Sequence, residues 1–187
     1  MEPVLGGYGY TRDYPLQQFW RDNRLNMIHE GTHGIQSLDL LCRKSIGPGW
    51  PVLMERMEEA AAAAADTADE DLEELAASLS GAARKLNETR GALAATLAKD
   101  PSLATSNSHL YMTMAGHTVV GWMWLELAMA ASAKMKEGGG AESDAFYSGQ
   151  IHAAKWFHKF EVGKVDQMGD VLASLDSTNA DMQDEWM

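Results

Sequence analysis

Along most of this chain apolar residues recur three or four positions apart, and no stretch alternates apolar and polar residues with the period of two that marks a strand. The pattern predicts an all-α protein, a helical bundle. Residues 1–15 read as a loop, with glycines at 6, 7 and 9, and Pro15 suits the first turn of a short helix to about Arg24. The segment "IQSLDLLCRK" has apolar residues at 35, 38, 41 and 42, which is helical spacing, and "SIGPGWP" at 45–51 stops it. Longer helices are then expected. Residues 52–64 and 68–98 are rich in Ala, Glu and Leu, all strong helix formers. Asp100-Pro101 breaks the run, a helix over 104–136 follows, and "EGGGAESD" makes a turn ending in Ser143 or Asp144 as N-cap. Helices over 144–161 and 164–177 complete the set. The punctuation at 45–51 divides the chain into a first segment, 1–46, and a helical remainder, 47–187.

A chain of 187 residues with 45% hydrophobic content is long enough for a real core. Its net charge of −12 argues against broad binding of nucleic acid or anionic membrane. Acidic residues gather at 55–75 and at the C-terminus, as on solvated helix faces. The single cysteine, Cys42, permits no internal disulfide and fits a reducing, cytoplasmic setting; it reads as a small buried thiol rather than a nucleophile. The Gly-rich N-terminus lacks the basic region of a signal peptide. The stretch from Leu110 to Ala131 is long enough to cross a bilayer, but His117, Glu126 and two threonines would be costly there. It reads as the central, nearly all-buried helix of a bundle. Trp122, Trp124, Trp156 and the twelve methionines read as filling an irregular core or a subunit interface.

Residues 29–33, "HEGTH", match H-E-x-x-H, which on a regular helix sets two imidazoles on one face as zinc ligands. Gly31 inside the motif and Gly34 after it weaken such a helix. The extended zinc motif needs a glycine where Gln36 stands and a histidine where Asp39 stands. Glu30 and His33 also match half of a di-metal signature, which needs a second copy that the chain lacks. No metal site is expected. His152 and His158 fall on different helix faces, and His109 and His117 share a face two turns apart, too far for one ion.

The wider context of the motif carries more information. Gly6-Gly7-Tyr8-Gly9-Tyr10 is followed by Arg21-Asp22-Asn23-Arg24 and then by Ile28-His29-Glu30-Gly31-Thr32-His33-Gly34-Ile35-Gln36. In order, spacing and identity this resembles the C-terminal catalytic segment of the flavin-dependent acyl-CoA dehydrogenases, over roughly the first quarter of the chain. The helical remainder is similar to the extra C-terminal extension of one subgroup, which includes enzymes acting on methylthio-substituted acyl-CoAs. The resemblance implies an FAD-dependent α,β-desaturation of an acyl-CoA thioester, within fatty acid metabolism. In it, Glu30 is the base for the α proton, Thr32 touches the flavin diphosphate, and Gly6 and Gly7 belong to a loop contacting the flavin of a neighbouring subunit. Gly31 allows close approach to the substrate, and His29 stands in the acyl pocket where the family usually has Tyr. A homo-oligomer and an electron-transfer flavoprotein or similar acceptor are implied as partners.

The family's usual flavin-contacting Gln is replaced by Pro3. His29 has a plainer alternative as a partly exposed polar residue outside the pocket, and Arg21 and Arg24 are expected to pair with Asp13 or Asp22. Complete members also have an N-terminal helical domain and a middle β-domain that supply most flavin and CoA contacts. The expectation is therefore a C-terminal portion, incomplete and inactive alone. Two other functions stay open: a non-catalytic helical module for oligomerisation or partner binding, and an acyl-CoA oxidase, which would pass electrons to oxygen.

Overall fold

The computed structural model describes residues 2–29, 31–138 and 142–186, with the backbone alone at 2–4. Among these residues the chain is all-α. After a kinked 3₁₀ segment, Glu2–Tyr10, come α1 (Leu16–Leu25), α2 (His33–Asp39), α3 (Gly49–Ala65), α4 (Glu70–Leu97), α5 (Pro101–Thr105), α6 (Ser108–Lys136), α7 (Asp144–Phe160) and α8 (Val165–Ala173). The long helices α4 and α6 pack on each other and form the axis of the bundle, with α3, α7 and α8 laid against both.

The spacing of apolar residues explains why α4 sits at the centre. It buries Leu72, Leu75, Ala76, Leu79, Ala82, Leu86, Thr89 and Leu93, a stripe at three- and four-residue steps along its whole length. Leu79 and Leu86 are fully enclosed. One core cluster joins Leu86 and Leu93 to Trp50, Tyr111, Met114, Val162 and Leu172, and a second joins Leu75 and Leu79 to Met57, Ala64, Leu125, Ala128 and Ala154. The alanine run of α3 supplies Ala61 and Ala64 to that second cluster, and such small side chains let α3 lie close to α4.

Local chemistry moved several helix ends from their expected places. The Asp100 carboxylate accepts from the Leu103 N–H at 3.0 Å and Pro101 occupies the first turn, so a separate short helix forms before α6. Ser143, one of the two expected caps, accepts from the Phe146 N–H at 3.3 Å and starts α7. Leu175 adopts φ +53°, which ends the last helix at Ala173 rather than near 177.

The expectation that α6 is nearly all buried is corrected. Neighbouring helices cover only part of its circumference, and Val120, Met123 and Leu127 stay 43%, 41% and 50% exposed. No described helix is long and apolar enough to cross a membrane. Trp122 and Trp124 pack against the core, but Trp156 lies 55% exposed on α7, its ring tilted against that of Phe160 at 5.5 Å. Cys42 is half-buried rather than enclosed.

A close contact between elements centres on Gly121. A Cβ there would stand 2.7 Å from the Val162 Cγ2, and the Gly121 carbonyl accepts from the His158 Nε2 at 3.0 Å. His158 is buried and its Nδ1 meets the Ser78 hydroxyl at 3.0 Å, so one imidazole joins α7, α6 and α4. Burial lowers the His158 pKa, against a smaller opposing effect of the Gly121 hydrogen bond. Alanine would gain about 1 kcal/mol of helix propensity at position 121. Overpacking against the buried Val162 costs about 1–3 kcal/mol, and the backbone of both helices would have to shift. Gly121→Ala is therefore expected to lower stability by up to about 2 kcal/mol, read by urea denaturation.

Candidate active site around the glycine turn

The candidate site is built where the chain turns between α1 and α2. Beyond Leu25 the helix relaxes into tight turns, in which the N–H groups of Met27 and Ile28 reach the carbonyls of Arg24 and Leu25. The backbone N–H of His29 donates to the Leu25 carbonyl at 3.0 Å, and its ring Nδ1 lies 2.9 Å from the same oxygen. Because that oxygen can only accept, Nδ1 carries the proton. Glu30, the expected base, lies outside the described residues. Gly31 follows with φ +117°, a conformation that L side chains rarely adopt, and a Cβ there would meet the Ile35 Cγ2 at 3.0 Å. Thr32 is the N-cap residue of α2; its carbonyl accepts from the Gln36 N–H at 3.0 Å, while its hydroxyl makes no capping bond.

This geometry removes the zinc reading of "HEGTH". His29 ends the turns after α1, His33 is the first residue of α2, and Gly31 breaks the chain direction between them. The two imidazoles therefore do not share a helix face, as a zinc site of this type requires.

The second half of the turn is anchored and the first is not. Ser37 is fully buried; its hydroxyl donates to the Gly34 carbonyl at 2.8 Å and meets the Ser108 hydroxyl at 2.9 Å, fastening α2 to α6. Beyond Asp39 the helix widens into a π turn, Leu40–Lys44, closed by the Ser45 N–H on the Leu40 carbonyl at 2.8 Å. That turn places Leu41 in the core. By contrast α1 buries no residue at all; Phe19 is 69%, Trp20 53% and Leu25 57% exposed. Sequence pattern gives no reason to single out Ser37 or Ser108, because neither belongs to a recognisable motif.

Of the other expected site residues, Gly6 and Gly7 lie in the 3₁₀ segment that packs on α1. Gly6 (φ +58°) makes the kink, and at both glycines the space where a Cβ would stand is open. The structure thus groups His29, Gly31 and Thr32 at one turn and leaves Gly6 and Gly7 in a separate, neighbouring segment. The side chain of Pro3 lies outside the described residues. His29, Thr32, Gly6 and Gly7 are exposed and Gly31 is half-buried. The expected pairing of Arg21 and Arg24 with aspartates is corrected. Arg21 donates to the Gln17 side chain at 2.8 Å and lies over the Tyr10 ring, while Arg24 points at the Met27 sulfur; among the described residues neither meets a carboxylate. A cleft of about 660 Å³ opens between the π turn and α3, lined by Leu40, Arg43, Lys44, Pro48, Trp50 and Leu53, and none of the expected site residues lines it.

Two family models match the chain. "Acyl-CoA dehydrogenase, C-terminal domain" matches residues 1–44, and "Acetyl-CoA dehydrogenase C-terminal like" matches residues 53–183. Among curated proteins, the chain is 33% identical over 146 residues to a 3-methylmercaptopropionyl-CoA dehydrogenase of Ruegeria pomeroyi, a match spanning 74% of this chain and 24% of that protein. It is 26% identical over 183 residues to a broad-specificity linear acyl-CoA dehydrogenase of Mycobacterium tuberculosis, over 93% of this chain and 30% of the relative. It is also 26% identical over 182 residues to a butyryl-CoA dehydrogenase of Syntrophomonas wolfei, over 97% of this chain and 30% of the relative. The chain spans 24–30% of the length of these relatives.

Proposed function

Because the chain belongs to the acyl-CoA dehydrogenase family, as matches to two of its C-terminal-domain models establish, we propose that it is the C-terminal portion of an enzyme that desaturates an acyl-CoA thioester at its α and β carbons. Glu30 takes the α proton as a carboxylate base. FAD, when bound, would supply the acceptor for the β hydride, with Thr32, Gly6 and Gly7 as the residues of this chain that would hold it. The electrons leave to an electron-transfer flavoprotein or a similar acceptor.

The observation that carries this reading is the conformation of Gly31. A φ of +117° fixes a sharp bend at Gly31, and a bend that only glycine makes easily lets the backbone come close to a substrate. A base facing an apolar substrate is desolvated, which weakens its hold on charge and strengthens its hold on a proton. The described residues suit the rim of a flavin nucleotide. The exposed Thr32 hydroxyl is free of capping duty, and the backbone at Gly6 and Gly7 faces open space. His29, exposed and tied to the Leu25 carbonyl, would border the acyl chain with a polar edge. The open faces of α1 support a site completed by further polypeptide, since among the described residues Phe19, Trp20 and Leu25 remain more than half exposed.

The test joins this chain to the preceding part of the Ruegeria pomeroyi relative and adds FAD with a panel of acyl-CoAs. The chimera is expected to bind flavin and lose its visible absorbance with at least one acyl-CoA, whereas this chain alone is expected to leave flavin absorbance unchanged. A folded, flavin-loaded chimera that no acyl-CoA bleaches would overturn the proposal.

A further inference from the structure

We propose that the helical remainder of the chain positions the Gly31–Thr32 turn: the Ser108 hydroxyl at the start of α6, braced by the turn after α8, holds α2 in one place. The inference rests on the catalytic reading above and adds what keeps that turn still. Ser37, Ser108 and Asn107 are positioning residues in it.

α2 has little with which to place itself. It is seven residues long and buries only Ser37, while Ile35 and Leu38 are 58% and 42% exposed. A helix this short is marginal without tertiary contacts. Its far end is fixed where the π turn sets Leu41 in the core, so the end nearer Gly31 depends on Ser37. That hydroxyl donates to the Gly34 carbonyl, which can only accept, so Ser108 is the donor in the 2.9 Å bond between the two serines. Both side chains are buried, where a lost partner leaves a polar group without water. The clasp lies close to the turn. The Gln36 N–H closes back on the Thr32 carbonyl, and the position of a Gly31 Cβ falls against Ile35.

Asn107, the residue before Ser108, supplies the brace. Asparagine is a preferred N-cap, yet this side chain makes no capping bond to α6. Its Nδ2 donates instead to the Asp176 carbonyl at 2.9 Å, and its Oδ1 accepts from the Asn179 Nδ2 at 2.7 Å. Leu175, at φ +53° and packed on the core, turns the chain into this contact. The turn is also tied within itself. The Asp176 carboxylate accepts from the Thr178 N–H at 3.1 Å, and the Asp181 carboxylate accepts from the Ser177 hydroxyl at 2.6 Å. A line of hydrogen bonds and adjacent residues therefore runs from Asn179 through Asn107 and Ser108 to Ser37, joining the last part of the chain to α2 and the Gly31 bend.

In the chain alone, Ser108→Ala is expected to quicken chymotrypsin cleavage after Leu38 and Leu40 by about tenfold, the effect of one lost buried partner on local opening. Asn107→Ala should quicken it by about threefold. Cleavage after Phe19 and Trp20 in α1 should keep its parent rate, as an internal reference. Ser37→Ala combined with Ser108→Ala should be no worse than Ser37→Ala, because the shared bond is already gone. In the FAD-loaded chimera, Ser108→Ala should slow single-turnover bleaching by about 10–10²-fold while acyl-CoA affinity stays within about threefold. Ser108→Thr, which keeps the hydroxyl, should restore the parent rate. Ser174→Ala, which removes an exposed hydroxyl bonded to the Val171 carbonyl, should alter neither readout. Unchanged cleavage at Leu38 and Leu40 in Ser108→Ala, or faster cleavage with an unchanged bleaching rate, would overturn the proposal. A parent chimera that never bleaches would sink the catalytic reading instead, and cleavage would then decide alone whether α6 holds α2.

Discussion

Glu30→Gln, placed in a chimera with the preceding dehydrogenase segments restored, is expected to slow flavin bleaching by about 10²–10⁴-fold, the range a positioned general base contributes. Glutamine keeps the shape of the side chain and its hydrogen-bonding oxygen, but it cannot hold the α proton. The bend at Gly31 is a feature of the glycine backbone, with φ +117°. Acyl-CoA affinity should therefore stay within a few-fold of the parent while the single-turnover rate collapses, which separates chemistry from binding. A variant that bleaches at the parent rate would leave Glu30 structural and favour a module retained for assembly.

Raising the pH from about 10 to about 12 is expected to remove up to about 2.7 kcal/mol of stability, of which Tyr111 is the source. Tyr111 is fully enclosed in the core beside Trp50, and burial pushes its hydroxyl up to about 12, against smaller lowering effects of Ser45 and Arg90. The sign follows from the direction. A tyrosine raised in the folded state loses its proton first in the unfolded state, which begins near its ordinary value of about 10. The contribution is whole below that pH, falls above it and is gone beyond the folded value. Tyr111→Phe should remove this alkaline loss, because phenylalanine has nothing to ionise. Urea midpoints of both proteins across this pH range measure it, and parallel losses in the two would assign the effect elsewhere.

The helices were legible because their apolar spacing is regular, most plainly in α4, where the pattern runs from Leu72 to Leu93. Their ends depended on single interactions, such as the Asp100 carboxylate on the Leu103 N–H, that spacing does not encode. The burial of α6 was overestimated for a related reason. An apolar sequence specifies that a face avoids water, but not whether this chain or another polypeptide covers it. The break inside "HEGTH" followed from Gly31 and was readable, whereas the partners of Arg21 and Arg24 were not. Long side chains on an exposed helix choose among several nearby groups of similar energy. The Ser37–Ser108 clasp joins residues far apart in sequence, and two hydroxyls carry no signature of each other.

The contrast between α1 and α2 has a consequence for hydrogen exchange. With no side chain buried, the amides of Leu16–Leu25 exchange through local openings that cost far less than global unfolding, while those of α4 wait for the whole bundle to open. Gly31 lies on the border between these two regimes, with the labile arm before it and the clasped helix after it. Whatever surface covers Phe19 and Trp20 therefore sets how long the following bend holds one geometry. Exchange rates along α1 would report that occupancy amide by amide, in the absence of any substrate.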